Sequence, residues 1–205
     1  MQTGDSLFFR DSIVQTIAIP EGVVRLGAVM CMESPNLHSI SLPSTLQYIG
    51  YDAFAGCEKL SNIMLPAGLQ AIGHNAFVGT RALHHFTIPA GIRILPQDCF
   101  AGSGLLSVML PDSLEVMERG VFFGCDRLRR IVLPAKLHRI GDYCFHHCDS
   151  LTEVVALSAT PIPISDVFAD TDSSLYRTLY VPAQSVELNR TAPYWSDFDS
   201  ILPLP

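Results

Sequence analysis

Charge is scarce in this chain. Asp, Glu, Lys and Arg make up 16% of its 205 residues, against roughly 25% in an ordinary globular domain. Positive charge is scarcer still: 13 Lys and Arg face 20 Asp and Glu, for a net charge of −7. The densest basic stretch is Arg127-Leu128-Arg129-Arg130. A nucleic acid needs a dense positive face, so it is not an expected partner. No apolar run approaches the roughly 18 residues of a membrane-spanning helix, so membrane insertion is not expected either. The opening residues, MQTGDSLFFRDS, lack the basic start and long apolar stretch of a signal peptide. The chain opens partway through a repeat, which predicts a mature form or an excised fragment. No G-x-S-x-G elbow, Walker A loop or G-x-G-x-x-G turn occurs, so the sequence offers no catalytic site and no cofactor site.

What the chain does contain is repetition. Phe54, Phe77, Phe100, Phe122, Phe145 and Phe168 are 23, 23, 22, 23 and 23 residues apart. An apolar residue followed by Pro returns in the same register, from Ile19-Pro20 to Leu133-Pro134. A period in the twenties marks a solenoid, and L-x-x-L-x-L, supplied here by Leu60, Ile63 and Leu65, marks leucine-rich repeats. Within one coil, alternation puts Ile63 and Leu65 on one strand face and Met64 on the other. Pro66 has no N–H to donate and ends the strand. Leu69 and Ile72 point back inward from a second side, and Gly73 is expected to permit a sharp corner. Ala76-Phe77 is expected to start one helical turn that Gly79 closes. Stacking coils buries what no single coil can bury.

The expected fold class is therefore α/β: a curved solenoid with parallel strands, short helical turns and a C-terminal cap. Residues 1–6 read as a disordered leader and 7–205 as one domain of about eight coils, with 158–205 an atypical last coil and lid. In that lid, Ser185 is the candidate N-cap of a helix over Ala183 to Thr191, and Trp195, Phe198 and Ile201 share a near-helical spacing.

Six cysteines fall on repeat positions rather than on a disulfide framework. Cys57, Cys125 and Cys148 come three residues after the Phe, Cys99 and Cys144 come just before it, and Cys31 replaces it. Such slots suit small buried side chains, so free core thiols are expected. Cys144, His146, His147 and Cys148 form the one cluster with zinc-like spacing, but a second ligand pair is missing, and a structural turn is the reading. His74, His138, His146 and His147 are expected to be solvated. Asn189-Arg190-Thr191 has the form of a glycosylation sequon, read here as coincidence.

The unit L-P-x-x-L-x-x-I-G-x-x-A-F-x-G-C-x-x-L resembles the BspA-like leucine-rich repeats. Residues 43–60, PSTLQYIGYDAFAGCEKL, carry it almost unaltered, and 134–151, PAKLHRIGDYCFHHCDSL, carry it with Cys144 for Ala and His147 for Gly. The first coil departs from it, with Met30-Cys31-Met32-Glu33 in place of Ala-Phe-x-Gly, and a distorted or repacked turn is expected there. The resemblance implies a surface or secreted protein that adheres to host matrix proteins or to other cells. It implies no catalytic motif.

The expected function is a non-enzymatic binding or adhesion module, recognising a protein or glycan through the strand-lined concave face. A structural spacer and an intracellular scaffold are the alternatives. The outward strand positions form ladders, one of which runs Ala18, Ser41, Met64, Thr87, Met109, Val132, Val155, Tyr180 and grows more apolar toward the C-terminus. His84, His85, Arg129, Glu153 and Arg177 flank it. An apolar strip edged by Arg and aromatic residues has the composition of an interface. Binding is expected to centre on Met109, Arg130, Val132 and Tyr180 and to weaken with salt. The uncapped strand edge at residues 7–20 is expected to favour self-association.

Overall fold

The computed structural model describes residues 14–168 and 176–205. The leader at 1–6, the Leu7-Phe8 position, most of the 7–20 edge and the insertion at 169–175 lie outside them. Each coil has three sides. The first carries the strand predicted before each Pro: Thr16–Ala18, Ser39–Ser41, Asn62–Ile63, His85–Thr87, Ser107–Met109, Arg130–Leu133, Glu153–Ala156 and Thr178–Val181. The second carries two-residue strands, such as Tyr48–Ile49 and Val116–Met117. All pairing is parallel, coil on coil: Ile17 sits beside Ile40, and Ile131 beside Val154. The third side is the turn that holds the Phe.

Those Phe rings form the centre of the core. Phe54, Phe77, Phe100, Phe122 and Phe145 are fully buried, and successive rings from Phe54 to Phe168 stack with centroids 5.2–5.7 Å apart. Each such pair adds about 0.5–1.5 kcal/mol beyond the area it buries. Phe86 enters the same stack from a strand and touches Phe77 and Phe100. At the C-terminal end Trp195 and Phe198 meet Phe168 edge-on, and the Trp195 indole N–H donates to the Ile162 carbonyl at 2.7 Å. The lid is only partly helical. A 3-10 turn, Ala183–Ser185, leads into an α-helix at Val186–Thr191. Ser185 makes no side-chain cap; its hydroxyl donates to the Ala159 carbonyl at 2.7 Å and ties the lid to the last coil. Ile201 lies in a further strand, Ser200–Pro203, which pairs with Thr178–Val181 and lengthens the first-side sheet. Asn189 is buried and donates to the Ser185 carbonyl, so the sequon is not presented.

The turns repeat one backbone signature. A left-handed residue opens each turn and a second closes it four residues later: Asp52 and Gly56, Asn75 and Gly79, Asp98 and Gly102, Gly120 and Gly124, Tyr143 and His147. Among the described residues the coil turns hold no helix, only consecutive hydrogen-bonded turns, because these left-handed residues break up the expected helical turn. The amides inside it donate to the next coil instead, as Phe77 N–H does to the Cys99 carbonyl and Gly79 N–H to that of Ala101, both at 2.8 Å. The first turn, expected to be distorted, keeps this signature with Val29 and Glu33, and Cys31 N–H still donates to the Ala53 carbonyl. Intercoil hydrogen bonding sets the backbone there, and repacking is confined to side chains.

Gly73 corrects the sequence reading of its role. Its φ is not positive; instead, a Cβ there would collide with the backbone at Gly50 and Tyr51 of the preceding coil. Gly50 and Gly141 are in the same position. These glycines let coils approach each other. One coil later Pro96 takes this place, between Gly73 and Glu118. Gly73 and Glu118 each donate an N–H to the coil before, but Pro has none to give. The second-side sheet accordingly divides between Ala71–Ile72 and Ile94–Leu95.

Candidate ligand-binding faces

The first-side strands turn alternate residues outward, and the register places the expected site residues on that face. Thr87 stands beside Met109, Arg130 beside Glu153, and Val132 beside Val155, which stands beside Tyr180. Met64 is 81% and Met109 68% exposed. Arg130 and Glu153 pair at 3.3 Å, both about half exposed. A shallow pocket of about 250 Å³ brings Arg130, Glu153, Val155 and Tyr180 together with Leu204 and Pro205. Val155 itself is buried, with Val132 and Tyr180 on either side, so it does not belong to the exposed ladder. Leu202, in register with Tyr180 and 40% exposed, extends the ladder instead. His84 Nε2 faces the Arg127 guanidinium at 3.1 Å, and His85 Nδ1 faces the Ser107 hydroxyl at 2.8 Å. The Arg129 side chain is exposed, while its carbonyl accepts from Thr152 and Glu153 N–H. Arg177 is not gathered into the Arg130–Tyr180 cluster. It lines a separate cavity of about 200 Å³ with Asp166, Phe168, Tyr194 and Phe198, and its N–H donates to Asp199 at 2.7 Å.

The turn face carries a larger groove that strand periodicity does not reveal. It has a volume of about 910 Å³ and runs from Asp52 to Asp166. The opening left-handed residues line it, and Asp and Asn at several of them suit a conformation that most side chains avoid. Near its C-terminal end, Arg119 lies over the Tyr143 ring at 4.8 Å. His146 meets Tyr143 edge-on at 4.5 Å, and His147 meets Phe123 edge-on at 5.3 Å. Phe123 is 39% exposed. Gly120 replaces the opening Asp or Asn there, and a Cβ on it would collide with the Asp98 carboxylate. His146, expected to be solvated, is buried; its Nε2 lies 3.1 Å from the Asp166 carbonyl and 3.2 Å from the Asp166 carboxylate. The repeat position itself does not bury it, since Val78 and Phe123 hold the same place half-buried and exposed; the neighbouring Tyr143 ring and Asp166 of the next coil cover the His146 ring. The usable sequence signal was a misfit within the repeat: Tyr143 and His147 occupy places that the four coils before them, from Asp52 to Gly124, give to Asp, Asn or Gly.

All six cysteines are unpaired and buried. Burial pushes the Cys31 thiol up to about 12 and that of Cys57 to about 11. Cys125 and Cys144 rise to about 12 for the same reason, and Cys99 and Cys148 are raised as well. The slot three residues after the Phe also requires a hydrogen-bond donor. Thr80 donates to the Phe77 carbonyl at 2.8 Å, Cys125 to that of Phe100 at 3.2 Å and Cys148 to that of Phe122 at 3.2 Å. Cys144 donates to the Glu118 carbonyl at 2.9 Å. Among the described residues no group of three or more His, Cys, Asp or Glu side chains is placed to hold a metal, and no helix is long and apolar enough to cross a membrane.

The family model described as "BspA type Leucine rich repeat region" matches in six copies, over residues 2–106, 24–152 and 70–183. A leucine-rich repeat protein from Bacteroides ovatus has a similar structure, with a TM-score of 0.61 and 25% identity over 93% of this chain and 61% of that one. A leucine rich cell surface protein from Faecalibacterium prausnitzii has a TM-score of 0.57 and 22% identity over 92% of this chain and 65% of that one. The chain thus spans less than two thirds of the length of either protein. No curated protein matches the sequence. The chain belongs to the BspA-type leucine-rich repeat family, whose repeats generally serve as interaction modules and are typically non-enzymatic.

Proposed function

We propose that this BspA-type repeat stack is a non-enzymatic adhesion module that binds a protein partner through its first-side strands. One observation carries the reading: exposed Met64, Met109 and Leu202, with half-buried Val132 and Tyr180, fall on one row of outward strand positions edged by exposed Arg129 and Arg130. Apolar surface beside Arg and aromatic side chains is the composition of a protein interface. Arg129 and Arg130 at its edge favour an acidic rim on the partner. A cell-surface or secreted location belongs to the same proposal; the repeat family supports it, and the F. prausnitzii neighbour is described as a cell surface protein.

The experiment is surface plasmon resonance against a panel of immobilised extracellular-matrix proteins, with wild type and an Arg130→Glu/Tyr180→Ala double variant. Binding is expected for wild type, with affinity falling as salt rises, because exposed charges are screened beyond about 8–10 Å at physiological ionic strength. Equal binding by a folded double variant would remove the site from this face. No binding by either protein would favour the spacer or scaffold readings.

A further inference from the structure

We infer that the turn-face groove beside Tyr143 is a carbohydrate-binding site, distinct from the strand face and suited to a neutral oligosaccharide. The first support is backbone strain placed where rings are displayed. Tyr143 has φ 63° and His147 φ 54°. A left-handed Tyr is uncommon, whereas His tolerates the conformation, and outliers of the first kind cluster at functional sites. The first turn also departs from the repeat, with Val29 and Glu33, but it puts no ring at either place. In the Phe145 coil, both departures put rings into the groove, His147 next to Phe123 and Tyr143 beneath Arg119.

The second support is the mixture of groups. Phe123 and His147 are exposed and Tyr143 is half-buried; such rings offer flat apolar faces to the C–H faces of a sugar. Around them stand Asn75, Asp98 and Arg119, planar groups that can donate to and accept from hydroxyls in pairs. The side chains of Asn75 and Arg119 have no hydrogen-bond partner among the described residues, so they are available to a ligand. Gly120 leaves room for the Asp98 carboxylate to lie across the turn toward the Arg119 and Tyr143 end of the groove.

The third support is what the groove disfavours. Three carboxylates, on Asp52, Asp98 and Asp166, line it against one guanidinium, which opposes an anionic ligand. Its backbone amides are already committed: Gly120 N–H donates to the Asp142 carbonyl, Phe122 to Cys144 and Gly124 to His146. A peptide therefore has no strand edge to extend, and its backbone would bury unpaired groups. A neutral oligosaccharide needs no strand edge, and its hydroxyls can pair with the side-chain donors and acceptors of Asn75, Asp98 and Arg119. The lining runs across coils spaced about 4.8 Å apart, so the groove is roughly 25 Å long, room for several sugar rings in a line.

The test is a glycan array carrying gluco-, manno-, galacto- and N-acetylglucosamine oligosaccharides, with sialylated and sulfated glycans and a lysine-rich peptide as comparators. Retention of at least one neutral class above the acidic glycans and the peptide is expected. Titration with the best neutral oligosaccharide should then show an affinity loss of about tenfold or more for Tyr143→Asn and for Phe123→Ala, both folded by circular dichroism. The Arg130→Glu/Tyr180→Ala variant should bind the same oligosaccharide as wild type does, which separates this site from the strand face. No retained neutral glycan, a preference for the acidic glycans or the peptide, or unchanged binding by Tyr143→Asn and Phe123→Ala would each overturn the proposal.

Discussion

The first-side strand face and the turn face share one repeat length but obey different constraints. On the strand face an outward residue occupies extended backbone that any side chain can adopt, so Ala18, Met64, Thr87 and Tyr180 follow one another without backbone cost. On the turn face the backbone must turn left-handed twice per coil, at places such as Asp52 and Gly56. Most residues there meet the conformational requirement cheaply, and the ones that do not carry information. On the strands a binding face is therefore read from composition alone, whereas at Tyr143 and His147 on the turns the backbone requirement adds a second signal.

Changes that strike the element common to both faces should have the largest effect. Phe100 lies against Phe77, Phe86 and Phe122. Phe100→Ala should cost about 3–5 kcal/mol in urea unfolding; a loss under about 1 kcal/mol would mean the ring stack is not what holds the two faces together. High pH should come next. The cysteine thiols are raised above an ordinary value of 9.0 by burial. The unfolded chain releases those protons first, so stability is full below about pH 9 and declines as pH rises toward 12, by up to about 1.4 kcal/mol per thiol per pH unit. Denaturation midpoints that stay level from pH 8.5 to 11 would contradict this, as would reaction of native protein with a thiol reagent at neutral pH.

Glycine substitutions sharpen the comparison between close approach and open space. Gly73→Ala meets the backbone of the preceding coil and should cost about 1–3 kcal/mol. Gly68→Ala has only the Ser44 carbonyl oxygen nearby, at 3.7 Å, and should change stability by less than about 0.5 kcal/mol. Similar melting temperatures for the two variants would refute the close-packing role of Gly73. On the turn face, Glu33→Gly puts the residue of other coils at φ 56° and should stabilise by up to about 1 kcal/mol; a destabilised variant would show that the Glu33 side chain matters more than its backbone. The smallest effect belongs to the strand face. Arg130 and Glu153 are about half exposed, so Arg130→Ala should cost under about 1 kcal/mol, as measured in a double-mutant cycle with Glu153→Ala.

The amino-acid sequence by itself determined the coil length, the strands before each Pro, the Phe stack and the free thiol slots. These follow from local chemistry repeated at a fixed period: a Pro without a donor, an alternating strand, a large ring that a lone coil cannot bury. It also marked Met109, Arg130 and Tyr180 as outward, because strand alternation is a local rule. What lay beyond its reach depended on which coil meets which. Val155 is buried because Val132 and Tyr180 of the adjoining coils flank it, and Leu202 joins the ladder because the chain adds Ser200–Pro203 as one more parallel strand, a pairing with no counterpart in the repeat. Gly73 serves close approach because Tyr51 of the coil before stands against it. The groove exists because turns separated by twenty-two or twenty-three residues are hydrogen-bonded into a stack, which sets Phe123 beside His147 and Arg119 over Tyr143. Periodicity tells which residues share a face, but only the stacking of coils decides what their side chains surround.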